Sequence, residues 1–95
     1  MAAVNLGAML AREGETDAAR IAYQVAVDSG HREQGPMAAF NLGLLCYELG
    51  DTEGARMWWR RTAQSDHAEY AQRAKQNLEA TEAPRSRFLR VVRRR

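Results

Sequence analysis

Large apolar residues such as Leu6, Leu10, Tyr23, Leu42, Leu45 and Trp59 are spread through stretches of helix formers that glycines separate. Within those stretches no proline intervenes and β-branched residues never run together, so helical propensity is unopposed. Strands are hard to place anywhere. The punctuation predicts where helices begin and end. Gly14 is followed by Thr16 and a helix to about Asp28, closed by Gly30. Pro36 suits a first helical position, where its missing N–H is not needed, and opens a helix to about Leu49. Gly50 supplies the left-handed residue that closes it. Asp51 and Thr52 can then cap a helix over about Glu53–Gln64. A final helix is expected from about His67 to Thr81.

The pattern repeats. Met1-Ala2-Ala3-Val4-Asn5-Leu6-Gly7 recurs as Met37-Ala38-Ala39-Phe40-Asn41-Leu42-Gly43, and the offset of 36 continues through Gly14/Gly50, Thr16/Thr52, Ala19/Ala55, Ser29/Ser65 and His31/His67. Thirteen of the 36 paired positions are identical. Ala74, Asn77 and Leu78 begin a third, partial copy, 36 residues after Ala38, Asn41 and Leu42. Self-similarity at such a period signals stacked supersecondary units, each here a helix A and a helix B. A helical glycine costs about 1 kcal/mol against alanine. Its return at Gly7 and Gly43 therefore predicts a close helix approach, beside the small Ala19 and Ala55 of helix B. Glu79 stands at this position in the third copy, consistent with a capping helix that no helix B follows.

These residues define a resemblance. Asn-Leu-Gly, then Gly-Asp/Glu-Thr, then alanine and an aromatic at Tyr23 or Trp59 resembles the tetratricopeptide repeat (TPR) over residues 1 to about 82. The period is 36 rather than 34, with the extra length in Gly30–Pro36, and the signature proline ending helix B is weak. Sel-like repeats share the 36-residue period but lengthen the turn between helices A and B, which is short here. The resemblance implies an all-α fold: a TPR-like α-solenoid of tandem helix-turn-helix repeats, two full units plus a C-terminal capping helix. Its implied function is a concave helix A groove that binds a peptide or protein partner. On this reading the domain is 1–82 and the tail is 83–95.

Asn5, Asn41 and Asn77 form a ladder, one per copy. The resemblance places them in the groove, where an amide can both donate to and accept from a peptide backbone; bonding within the repeat is the equally weighted alternative. Met1, Val4, Ala8, Met37, Phe40, Leu44, Tyr47, Arg73 and Gln76 are expected to share that face. Trp58 and Trp59 are adjacent and point about 100° apart on a helix. Trp59 aligns with Tyr23 and is expected in the core. Trp58 is a candidate contact, although a wide apolar stripe explains it better.

Charge separates the body from the tail. Residues 1–84 hold eight Lys and Arg against twelve Asp and Glu, a net −4, whereas residues 85–95 hold six arginines and no acid, a net +6. In the tail, Phe88, Leu89, Val91 and Val92 fall on one helical side and most of Arg85, Arg87, Arg90, Arg93, Arg94 and Arg95 on the other, with Pro84 suited to open a short helix. Such a segment suits nucleic-acid phosphates, an anionic surface or an acidic protein groove, or else frays in solvent. Met1, standing at a helix start without a capping segment, suggests either a piece of a longer array or self-association into a homo-oligomer.

The remaining chemistry is sparse. The lone Cys46 allows no internal disulfide and reads as a small buried hydrophobe. His31 and His67 lie one repeat apart in connections, about 10 Å for packed helices, too far to share a metal ion without more ligands, and read as solvated loop histidines. No phosphate-cradling glycine loop, His-Glu-x-x-His pattern or nucleophile with a base occurs, so neither an enzyme nor a cofactor is expected. No run approaches the ~18 apolar residues of a membrane span. The first residues lack a signal peptide's basic start and apolar stretch, making a cytoplasmic location the expectation.

Overall fold

The computed structural model describes the backbone of residues 2–94 and the side chains of residues 2–81. Among the described residues every regular element is helical: α1 (Ala3–Arg12), α2 (Thr16–Asp28), α3 (Gln34–Glu48), α4 (Thr52–Ala63) and α5 (Ala68–Arg94). Gly14, Gly30 and Gly50, which follow α1, α2 and α3, have φ of 79°, 70° and 85°. A Cβ is disfavoured in that left-handed region, and this is why the chain uses glycine where three helices stop.

The helix starts differ more from the expected ones. α3 begins at Gln34, so Pro36 lies inside its first turn, where an N–H is still not needed. The Asp51 side chain caps α4, its Oδ1 accepting from the Gly54 N–H at 2.9 Å. The first copy has Glu15 at the equivalent position, and α2 has no side-chain cap. α5 corrects two expectations. It neither ends near Thr81 nor restarts at Pro84, but runs unbroken to Arg94. Proline in a helix interior removes one hydrogen bond and usually breaks the helix, yet the helical backbone continues through it here.

Each helix packs on the next, and in addition α1 packs on α3 and α3 on α5. α3 therefore sits at the centre, packed against each of the other four helices. One core cluster joins α1, α2 and α3 through Val4, Ala19, Tyr23, Ala26, Ala38 and Leu42, among others. The next joins α3, α4 and α5 through Phe40, Cys46, Ala55, Trp59 and Ala74. Trp58 is half-buried and packs against both clusters, with the Arg61 guanidinium 5.5 Å from its ring centre.

Two of the helical glycines, Gly7 and Gly43, face an aromatic ring of the following helix. A Cβ on Gly7 would stand 2.6 Å from Cδ1 of Tyr23, and one on Gly43 would stand 2.5 Å from Cδ1 of Trp59. Each aromatic thus occupies the space that a Cβ on the facing helix would need. Trp59 also donates its indole N–H to the Phe40 carbonyl at 3.3 Å, which satisfies the one polar atom that the burial of its ring would otherwise strand.

Candidate interaction groove

Two clefts follow from this packing. The smaller, of about 320 Å³, lies between α1 and α3 and is lined by Ala8, Ala11, Arg12, Tyr23, Asn41, Leu44, Leu45 and Glu48. Its α1 residues, 8, 11 and 12, and its α3 residues, 41, 44, 45 and 48, follow the three- and four-residue spacing of a helix face. Tyr23, reaching in from α2, forms part of the wall, and its hydroxyl shares a side-chain hydrogen bond with Asn41. Burial holds the Tyr23 pKa above its ordinary value, and Glu48 raises it further, while Arg12 and the Asn41 bond oppose the shift. A phenol, an amide, a guanidinium and a carboxylate therefore meet beside the apolar Ala8 and Leu44. This set can donate and accept hydrogen bonds and bury a small apolar side chain, as recognition of a peptide backbone requires.

The larger cleft, about 730 Å³, lies between the α2–α3 and α4–α5 connections, with Val27, Pro36 and Ala39 beside His31, Arg32, Arg61, Asp66 and His67. Much of its polar chemistry is already engaged in holding the connections. Ser29 donates its hydroxyl to the Ala26 carbonyl at 2.7 Å and accepts from the His31 N–H at 3.2 Å. Nδ1 of His31 then accepts from the N–H groups of Glu33 and Gln34 at 3.2 and 3.1 Å. Ser65 and His67 repeat the device: Ser65 donates to Thr62, and Nδ1 of His67 accepts from the Tyr70 N–H at 3.4 Å. The paired histidines, expected from the sequence to be solvated loop residues, are thus helix-start caps. Among the described residues no group of three or more His, Cys, Asp or Glu side chains is placed to hold a metal ion.

The structure brings together only part of the set expected to share the groove. Asn41, Leu44 and Ala8 line the smaller cleft. Asn5 is exposed, and Asn77 is half-buried on α5. Met37 is half-buried against the first core cluster. Val4 and Phe40 are buried, so neither presents an open surface; the Phe40 ring packs 5.6 Å from that of Tyr70. Tyr47 is exposed, its ring 5.9 Å from Trp59. Arg73 is exposed, paired with Glu69 at 2.9 Å and lying over the Tyr70 ring at 5.4 Å. Met1 and Arg95 lie outside the described residues, as do the side chains of Arg85, Arg87, Arg90, Arg93 and Arg94.

Sequence reasoning missed Arg12, Glu48 and the Tyr23 hydroxyl. Arg12 and Glu48 are repeat equivalents of opposite charge on helix A, and Glu48 falls one heptad after Asn41, a signal that was available. The Tyr23 hydroxyl had none, because only packing brings α2 to this wall. Comparison with protein-family models, characterised proteins and solved structures returned no match. Among the described residues no helix is long and apolar enough to cross a membrane.

Proposed function

We propose that the chain is a TPR-like α-solenoid that serves as a protein-interaction module, taking a peptide segment into the cleft between α1 and α3. The observation that supports this most is the meeting of Arg12, Asn41, Glu48 and the Tyr23 hydroxyl beside Leu44 on one helix-A face. The packing of α3 on both α1 and α5, together with the 36-residue sequence period, supports the solenoid reading. The opposed charges of Arg12 and Glu48 favour a segment bearing both signs, one near each cleft wall.

Asn41→Ala would be an ambiguous probe, because it also removes the Tyr23 bond. Leu44, 39% exposed, is cleaner. Peptides selected from a random library on the full chain are expected to bind Leu44→Asp at least ~10-fold more weakly, a loss of about 1.4 kcal/mol. Equal affinity for the variant would refute the groove.

A second reading has one feature in its favour, the continuation of α5 into a segment with six arginines. There the ligand would be nucleic acid, held through its phosphates. Such binding weakens steeply with salt and disappears when residues 85–95 are deleted, whereas groove binding survives the deletion.

A further inference from the structure

The first sequence copy carries at its surface what the second keeps inside. Leu42 is 1% exposed, whereas Leu6, its equivalent 36 residues earlier, is 38% exposed. Its neighbours follow suit: Ala38, Ala39, Leu45 and Cys46 are buried, while Ala2, Ala3, Met9 and Leu10 are only half-buried. The cover over Leu42 is its own core cluster, with Val4 from α1 and Tyr23 and Ala26 from α2. Among the described residues α1 packs on α2 and α3 alone, so its equivalent face has no such cover.

We propose that this face of α1 pairs with the same face of a second copy, in an antiparallel, two-fold contact centred on Leu6. Three observations select that occupant. Ala2, Leu6 and Met9 are spaced by four and then three residues, the seam spacing of paired helices. No charge lies between Ala2 and Ala11, so the stripe meets its own image without like-charge repulsion, as an isologous contact demands. Antiparallel approach also sets each Glu13, on the same side of the helix as Leu6, just beyond the N-terminal end of the other α1. The first turn of that helix has neither an acidic residue nor a side-chain cap, and it favours a carboxylate.

The neighbouring helix adds to the same face. Arg61 lines the cleft between the two helix pairs, so its position on helix B looks toward the preceding unit. The first copy has Val25 there, 57% exposed, an apolar side chain in place of the charge. This surface is separate from the α1–α3 groove, and the pairing does not depend on peptide binding there.

The test is sedimentation equilibrium of the full chain over the micromolar range. The expected result is a particle of twice the 10.7 kDa chain mass. Leu6→Glu should raise the dissociation constant at least ~10-fold while the helical circular dichroism is retained. Should that variant lose its helical signal, Val25→Arg decides, since arginine is tolerated at the equivalent position of α4; it too should shift the equilibrium toward monomer. A wild-type chain that stays monomeric, or a dimer unchanged by the deciding variant, overturns the proposal. A mass that climbs past two chains with concentration overturns it as well, because a two-fold contact closes at the dimer.

Discussion

Trp59 occupies the space that a Cβ on Gly43 would need, and the consequence is measurable. Gly43→Ala should lower stability by roughly 1–3 kcal/mol, the usual range for overpacking, because the indole must move off its bond to Phe40. Gly35 is the control, since a Cβ there meets only the Ala26 carbonyl oxygen at 3.9 Å. Gly35→Ala should leave stability unchanged or raise it by about 0.4–1 kcal/mol, so urea denaturation should show a lowered midpoint for Gly43→Ala alone. Tyr23 yields a pH prediction. Its pKa is raised, first by burial, from an ordinary 10.0, so the folded state holds this proton more tightly than the unfolded chain. The contribution is complete below pH 10.0 and is lost as pH climbs through the folded value. Cys46, raised from 9.0 by burial and by Asp51, behaves alike and starts lower. Thermal melts should therefore fall above about pH 9, and Tyr23→Phe should flatten the part of the fall above pH 10.

The helices differ in how well their ends are held. Asp51 caps α4, and Asp51→Ala should remove about 1 kcal/mol. Glu15 stands at the same point before α2 without capping it, its carboxylate being one methylene further out than aspartate's. Glu15→Asp should recover part of that energy, giving a higher urea midpoint with an unchanged m-value. The helix ends at Gly14, Gly30 and Gly50 were legible because a left-handed residue leaves a compositional mark. The start of α3 was less legible. Its cap comes from His31, through a Ser-His arrangement two residues upstream, so a proline rule aimed at Pro36 missed the first two residues. Pro84 misled in the other direction: proline is a strong local breaker, yet α5 runs on to Arg94.

At the scale of the molecule, the packing of α1 on α3 brings Arg12 and Glu48, 36 residues apart in sequence, to the border of one cleft. The readings proposed for the groove, the α1 face and the residue 85–95 segment can be told apart, because each predicts a response to a different perturbation. Peptide binding in the groove should be lost with Leu44→Asp. Self-pairing should be lost with Leu6→Glu. Any binding to oligonucleotides should fall steeply between 50 and 200 mM salt, roughly as expected for multiple phosphate contacts, and should be absent from a chain lacking residues 85–95. Fluorescence anisotropy with a labelled oligonucleotide checks the last of these.

By itself the sequence determined that the chain is helical, where three of its helices stop, and that a neighbouring helix approaches closely at Gly7 and Gly43. These are local or periodic properties: propensity, backbone conformation and a motif recurring every 36 residues all leave a trace in the order of residues. Tertiary structure alone decided which members of each repeated position face solvent. Asn5 and Asn41 are equivalent in sequence, yet only Asn41 bonds to a tyrosine, because only α3 has α2 beside it in the preceding position. Leu6 and Leu42 are identical residues in matching contexts, and one is covered while the other is open. Burial depends on which helix packs alongside, and a repeat unit carries no local record of its neighbours.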